Sequence, residues 1–169
     1  MASLSSEVII GKLNEKFGDL VLSSEMLYDV LTFTVKADRI IDVLRFCYDD
    51  EVLRFQFLTT LCGMHYPDAP KEKQFGVVYH LHNLRDNIRI RIKIFLPADH
   101  PEVNTATTLF STANWMERET YDFYGINFKG HPDLRRILNV EDMVAFPLRK
   151  DFPLEDQTRE DKNDSMFGR

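Results

Sequence analysis

The chain has 169 residues, 44% of them hydrophobic, with 27 Asp and Glu against 21 Lys and Arg for a net charge of −6. That length and composition suit one domain with its own core. The acidic balance excludes the basic footprint of a general nucleic-acid binder, no apolar run approaches a membrane span, and residues 1–10, which carry Glu7 and no cation, read as neither a signal peptide nor a transit peptide.

Ser5 or Ser6 is suited to cap a first helix with Ile10, Leu13 and Phe17 as its apolar stripe, and Gly18 to end it. Residues 20–22 are a short apolar run that fits an edge strand. Residues 30–35 alternate, with Leu31, Phe33 and Val35 on one face and Thr32 and Thr34 on the other. Asp38 opens a second predicted helix, with Ile40, Ile41, Leu44 and Cys47 pointing one way. Residues 53–62 predict a strand that carries Leu53, Phe55, Phe57 and Leu61 on one face, and Pro67 and Pro70 break it, since proline cannot continue a ladder. Residues 74–82 and 88–96 are two more strands around a turn at Arg85-Asp86-Asn87. The second has the cleanest pattern: Ile88, Ile90, Ile92, Ile94 and Leu96 face one way and Arg89, Arg91 and Lys93 the other. A one-residue slip would bury three cations, so its register is firm.

Residues 105–124 predict a third helix with Gly125 as its stop. Helix, two strands, helix, three strands, helix gives an α+β fold, a two-layer domain with a mixed, mainly antiparallel sheet covered by helices. That domain takes residues 1–138. Residues 139–169 form an extended C-terminal arm, because periodicity stops, Pro147 and Pro153 punctuate the chain, and residues 155–164 are almost all charged or polar. Phe146, Leu148, Phe152 and Leu154, spaced along it, suit an arm that wraps a neighbour and is mobile without it.

Ligand motifs are absent. Cys47 and Cys62 are far apart with no C-x-x-C spacing, so they predict free, partly buried thiols in a reducing compartment and no iron–sulfur cluster. His80-x-His82 lacks the further ligands a zinc site needs, and the 7 glycines are too scattered for a phosphate loop.

Charge and aromatics are densest in residues 114–138. Glu117, Arg118, Glu119 and Asp122 interleave with Tyr121, Phe123 and Tyr124, and His131, Arg135 and Arg136 follow. Ala113, Met116, Thr120 and Tyr124 fall on one helical stripe, which puts Arg118 and Glu119 each one turn from Asp122. His131-Pro132 is placed to fix the turn that aims Arg135 and Arg136. Three readings compete. A free-standing hydrolase would use Glu117, Glu119 or Asp122 as acid and base with His131 as a shuttle. A set of ion pairs would hold the helix to the irregular segment after it. A contact surface would exploit the planar fork of arginine. Residue types alone favour the ion pairs, because acid–base catalysis needs a pocket and perturbed pKa values.

The same residues carry a family resemblance. Glu117-Arg118-Glu119, Tyr121-Asp122-Phe123-Tyr124-Gly125-Ile126, Gly130-His131-Pro132-Asp133-Leu134-Arg135-Arg136-Ile137-Leu138 and Pro147-Leu148-Arg149-Lys150-Asp151-Phe152-Pro153-Leu154 resemble the thirty-kilodalton, C-type subunit of the proton-pumping NADH:quinone oxidoreductase, respiratory complex I. The match extends upstream to about Phe55. It departs where Asn104-Thr105 follows Val103 in place of Pro-Ser, and where Val140-Glu141-Asp142-Met143 and Ala145-Phe146 replace Pro-Glu-Asp-Trp and Gly-His.

The resemblance implies a two-layer α+β fold and a subunit without cofactor or catalytic residue, with FMN, iron–sulfur clusters and quinone in partner subunits. It implies a place in the hydrophilic arm of complex I among its other subunits, beside the D-like chain that shapes the quinone cavity. That is a peripheral position on the cytoplasmic side of a bacterial inner membrane, reached only through the assembly. The expected interface is Glu117, Arg118, Glu119, Asp122, His131, Arg135, Arg136, Arg149, Lys150, Asp151, Phe152 and Leu154. An equivalent subunit of a membrane-bound hydrogenase or a plastoquinone-reducing complex would carry similar stretches.

Overall fold

The computed structural model describes residues 4–153. Helix α1 (Ser6–Phe17) starts at Ser5, whose hydroxyl accepts the Val8 N–H, and stops at Gly18. A hairpin of β1 (Val21–Leu27) and β2 (Val30–Val35) follows. Its two-residue turn, Tyr28-Asp29, has both φ angles positive (50° and 60°), the left-handed geometry that matches strand twist. The edge strand is therefore longer than residues 20–22, since pairing along β2 supplies what its weak pattern lacks. A 3-10 turn, Ala37–Arg39, leads into α2 (Ile40–Asp49). Then come β3 (Phe57–His65), β4 (Phe75–Asn83) and β5 (Ile88–Leu96). A short parallel pair, β6 (Glu102–Asn104) with β7 (Asn127–Lys129), brackets α3 (Ala113–Tyr124).

The five long strands form one sheet in the order β1-β2-β5-β4-β3, antiparallel except for the parallel β2–β5 pair. Phe33 pairs with Ile92, Ile92 with Tyr79, and Tyr79 with Leu61, so these side chains share a face. They join Ile9 and Leu13 of α1, Ile40 and Leu44 of α2, and Ala113 of α3 in one core. The other face carries Arg89, Arg91, Lys93, His80 and Cys62 at solvent-exposed or half-buried positions. Helices pack on one side only, which is the expected two-layer arrangement.

Two predicted elements shift. The third strand starts at Phe57 and not at residue 53, because the Asp50 carboxylate accepts the N–H groups of Val52 and Leu53, and Arg54 is left-handed (φ 45°). Leu53 and Phe55 are buried nonetheless, from a loop. An irregularity between Leu58 and Thr60 then turns Leu58 inward and leaves Phe57 42% exposed, against the expected alternation. The third helix starts at Ala113 and not at residue 105. Residues 102–104 are claimed by β6, and Thr105 and Ala106 by hydrogen bonds to Glu117.

Candidate functional site

Helix α3 packs against β3 so closely that a Cβ on Gly63 would lie 2.8 Å from side-chain atoms of Thr120 and Tyr124. The predicted stripe of Ala113, Met116, Thr120 and Tyr124 makes this contact. The charged residues thus lie on the helix's flanks, and three of them, Glu117, Arg118 and Asp122, are buried.

Glu117 is fully buried. One carboxylate oxygen accepts the Thr105 hydroxyl at 2.5 Å and the other the Ala106 N–H at 2.7 Å. Burial pushes its pKa up to about 7, against the pull of these two hydrogen bonds. The Tyr79 hydroxyl, also buried and without a hydrogen-bond partner among the described residues, has its own pKa raised well above normal by burial and by the Glu117 charge.

Asp122 is fully buried too, on the other flank. Its Oδ2 accepts the N–H groups of Ile137, Leu138 and Asn139 at 3.1, 2.8 and 3.0 Å. Its Oδ1 accepts Arg136 Nη1 at 2.8 Å and the Asn139 side-chain amide at 3.0 Å. Burial alone would raise its pKa; the donors on Asn139, Leu138 and Arg136 outweigh that and hold it well below the usual carboxylate range. Arg136 also donates to the backbone oxygens of Asp122, Met143 and Ala145, and lies over the Phe146 ring at 5.0 Å.

The Arg118–Asp122 pair that one-turn spacing would allow does not form. Asp122 takes Arg136 instead, while Arg118 donates to the carbonyl oxygens of Arg135 and Arg136, sits 4.0 Å from Asp133 and covers the exposed Trp115 ring at 4.9 Å. A turn of backbone rich in carbonyls attracts the guanidinium more effectively than a carboxylate already holding five donors. Glu119, one turn from Asp122, is exposed and makes no bond to it. His131 Nδ1 accepts the Asp133 N–H, so its proton is on Nε2, which donates to the Asn114 carbonyl at 3.1 Å. Arg135 is exposed and paired with Asp133. The imidazole and the two buried carboxylates therefore face three different segments, and no acid–base constellation assembles around them.

The arm is seated on this helix's C-terminus. Gly125 has φ +72°, and a Cβ there would fall 2.6 Å from both Phe146 and the Arg149 guanidinium. Arg149 donates to the Tyr124 carbonyl at 2.7 Å and lies between the rings of Phe75 and Phe146, at 4.8 and 4.5 Å. The Leu148 N–H donates to the Phe123 carbonyl, and the Lys150 N–H to His65 Nδ1 at 3.0 Å. Arg149 thus has an acceptor within its own chain. Asp151 is 67% exposed, Phe152 is half-buried, and Leu154 lies outside the described residues. Asn139, Thr105 and His65 were not legible as parts of the site, and Phe146 was read only as an apolar residue of the arm. Only Gly125, a glycine at a helix end, advertised its role.

Among the described residues no group of three His, Cys, Asp or Glu side chains could hold a metal. His80 Nε2 accepts from Arg91, and His82 bonds Asn87. Cys47 is buried and its pKa is pushed up to about 12 by burial and the Asp50 charge, whereas Cys62 is exposed.

Residues 33–158 match the family model of the respiratory-chain NADH dehydrogenase 30 kDa subunit. The chain belongs to this family. It is 45% identical over 141 residues to an NADH-quinone oxidoreductase C-type subunit of Rhizobium etli (strain CIAT 652), covering 83% of this chain and 73% of the relative. It is likewise 45% identical over 148 residues to the corresponding C-type subunit of Methylobacterium sp. (strain 4-46), covering 88% and 67%. A trypsin-resistant fragment of Nqo5 shares the fold with a TM-score of 0.64 at 29% identity, over 75% of this chain and 98% of the fragment. A chain of the membrane-bound sulfane sulfur reductase, an archaeal respiratory membrane complex, has a TM-score of 0.73 at 27% identity, over 88% and 85%. Membership of the 30 kDa subunit family makes the buried charges of α3 part of a subunit of a larger respiratory enzyme.

Proposed function

We propose that the chain is a structural and assembly subunit of the hydrophilic arm of a proton-pumping NADH:quinone oxidoreductase. It contributes no cofactor and no catalytic residue, and it docks beside the D-like chain that shapes the quinone cavity. FMN, iron–sulfur clusters and quinone belong to its partners, and electron transfer to the assembly. The observation that carries this reading is how Asp122 and Arg136 are used. Each is saturated by its own chain, and together they fix a loop that presents Leu138, Val140 and Val144 at 65%, 67% and 94% exposure. Rigidly held apolar side chains beside a buried ion pair fit a docking surface, not a reaction centre. Glu119, Arg135, Lys150 and Asp151 are exposed and remain available to partners.

In this reading residues 139–169 are the partner-binding arm, anchored at its root by Phe146, Arg149 and Lys150. No helix of the described residues is long and apolar enough to cross a membrane. The subunit's position would then be peripheral, on the cytoplasmic side of a bacterial inner membrane. The likeness to a chain of a different respiratory membrane complex supports a second reading, an equivalent subunit of a membrane-bound hydrogenase or a plastoquinone-reducing complex. Affinity purification of the native chain with mass-spectrometric identification of its partners separates the two. Recovery of NADH-oxidising subunits supports the first, recovery of hydrogenase or plastoquinone-reductase subunits the second, and turnover by the chain alone would overturn both.

A further inference from the structure

The helix-free face of the sheet carries a run of cations that no acid of the described residues answers. Arg89, Arg91 and Lys93 alternate along β5 on this face, and none of them forms an ion pair there. Arg91 is half-buried and, among the described residues, bonded only to neutral groups, through Nε to His80 Nε2 at 2.9 Å and through Nη1 to Thr32 Oγ1 at 3.3 Å. The Lys93 ammonium lies over the rings of Phe95 and Tyr66, at 4.6 and 5.2 Å. A half-buried guanidinium without a carboxylate forgoes its strongest class of hydrogen bond.

This stripe runs into a cleft of about 750 Å³ at the β3–β4 end of the sheet. Tyr66, Pro67, Pro70 and Phe95 give it apolar walls, and Lys73, Lys93 and Lys150 line it as well. Lys150 comes from the arm, held there by its backbone bond to His65, so seating the arm completes the cleft. The acids close by are Asp68 in the cleft wall, Asp151 at 3.8 Å from His65 of that wall, Glu25 across β2 from the stripe, and Glu119, whose charge reaches Cys62 as that of Arg91 does. Three lysines against one aspartate leave the cleft cationic.

We propose that this face is a second docking surface, for an acidic segment of a neighbouring subunit that lays carboxylates along Arg91 and Lys93 and inserts an apolar side chain between Tyr66 and Pro70. Charge complementarity sets the partner's sign, and the proline- and aromatic-walled cleft sets its anchor. The inference rests on the assembly reading above but concerns a surface distinct from the Asp122–Arg136 loop.

The test is lysine acetylation with acetic anhydride, read by mass spectrometry, on the intact assembly and on the free full-length chain. Lys73, Lys93 and Lys150 should lose most of their labelling in the assembly, while the exposed Lys16 and Lys36 serve as references. Zero-length carbodiimide coupling should then join at least one of the three to an Asp or Glu of another subunit. Equal labelling in both forms overturns the proposal, as does protection with coupling only to Asp68 or Asp151 of the same chain. Lys93→Glu should lower recovery of the assembly with the melting of the free chain unchanged. If that variant melts early, Lys73→Glu, at an exposed position, reads the same effect. Failure to recover any partner would sink the assembly reading, whereas a recovered assembly with fully labelled lysines sinks only this surface.

Discussion

Arg136 reaches back 14 residues to Asp122 and meets it in a site where the two side chains are 7% and 0% exposed, Nη1 to Oδ1 at 2.8 Å. The same carboxylate collects three consecutive backbone N–H groups, so this ion pair folds the segment after His131 into one shape.

Arg136→Ala should destabilise the free chain as well as the assembly. Removing one partner leaves the Asp122 charge buried and frees the Met143 and Ala145 carbonyls, a loss of about 3–5 kcal/mol. Urea unfolding of the isolated chain and the yield of purified assembly should fall together. If both are normal and only turnover drops, Arg136 has a chemical role and the structural assignment is wrong.

Glu117 makes stability depend on pH. A carboxyl raised to about 7 from an ordinary 4.5 keeps in the folded chain a proton that the unfolded chain has lost. Its contribution is full below about 4.5, declines as pH rises and is gone above about 7, a loss of roughly 3 kcal/mol. Asp122 acts with the opposite sign: its contribution is present above the ordinary carboxylate value and is lost as pH falls toward its depressed folded value. Glu117→Gln should flatten the decline in melting temperature between pH 5 and 8, and an unchanged profile would refute the assignment.

Gly125→Ala should loosen the arm. A left-handed alanine costs about 1–2 kcal/mol, and its Cβ collides with Phe146 and Arg149. Faster hydrogen exchange at the amides of Leu148 and Lys150, with the sheet amides unaffected, is the expected signature. Uniform acceleration would mean that the arm and the domain unfold as one unit.

Tyr79→Phe should be neutral or stabilising by about 1 kcal/mol, since it removes a buried hydroxyl that has no partner. A marked loss of stability would show that the hydroxyl is bonded after all.

The pattern of β5 could be read to the residue, because a half-buried strand writes its two faces in alternation along contiguous positions. Ser5 and Gly18 marked the ends of α1 for a similar reason, since capping is chemistry within one turn. The start of β3 was not legible: Leu53 and Phe55 are apolar and buried, and burial in a loop looks the same in sequence as burial in a strand. The start of α3 was misplaced because a carboxylate 11 residues further on, Glu117, claims the backbone of Ala106.

From sequence alone came the α+β class, the order of the main elements, the absence of ligand motifs and the family resemblance, all of which depend on residues close in the chain. Tertiary structure alone decided which charges meet. Local spacing offered Arg118 to Asp122 at one helical turn, and the fold chose Arg136. It also decided that Lys150 would bind His65, 85 residues away, and close the cationic cleft. A charge has no period to betray its partner: the Coulombic and hydrogen-bonding gain depends on distance in space and on burial, and both are set only once the core has brought distant segments together.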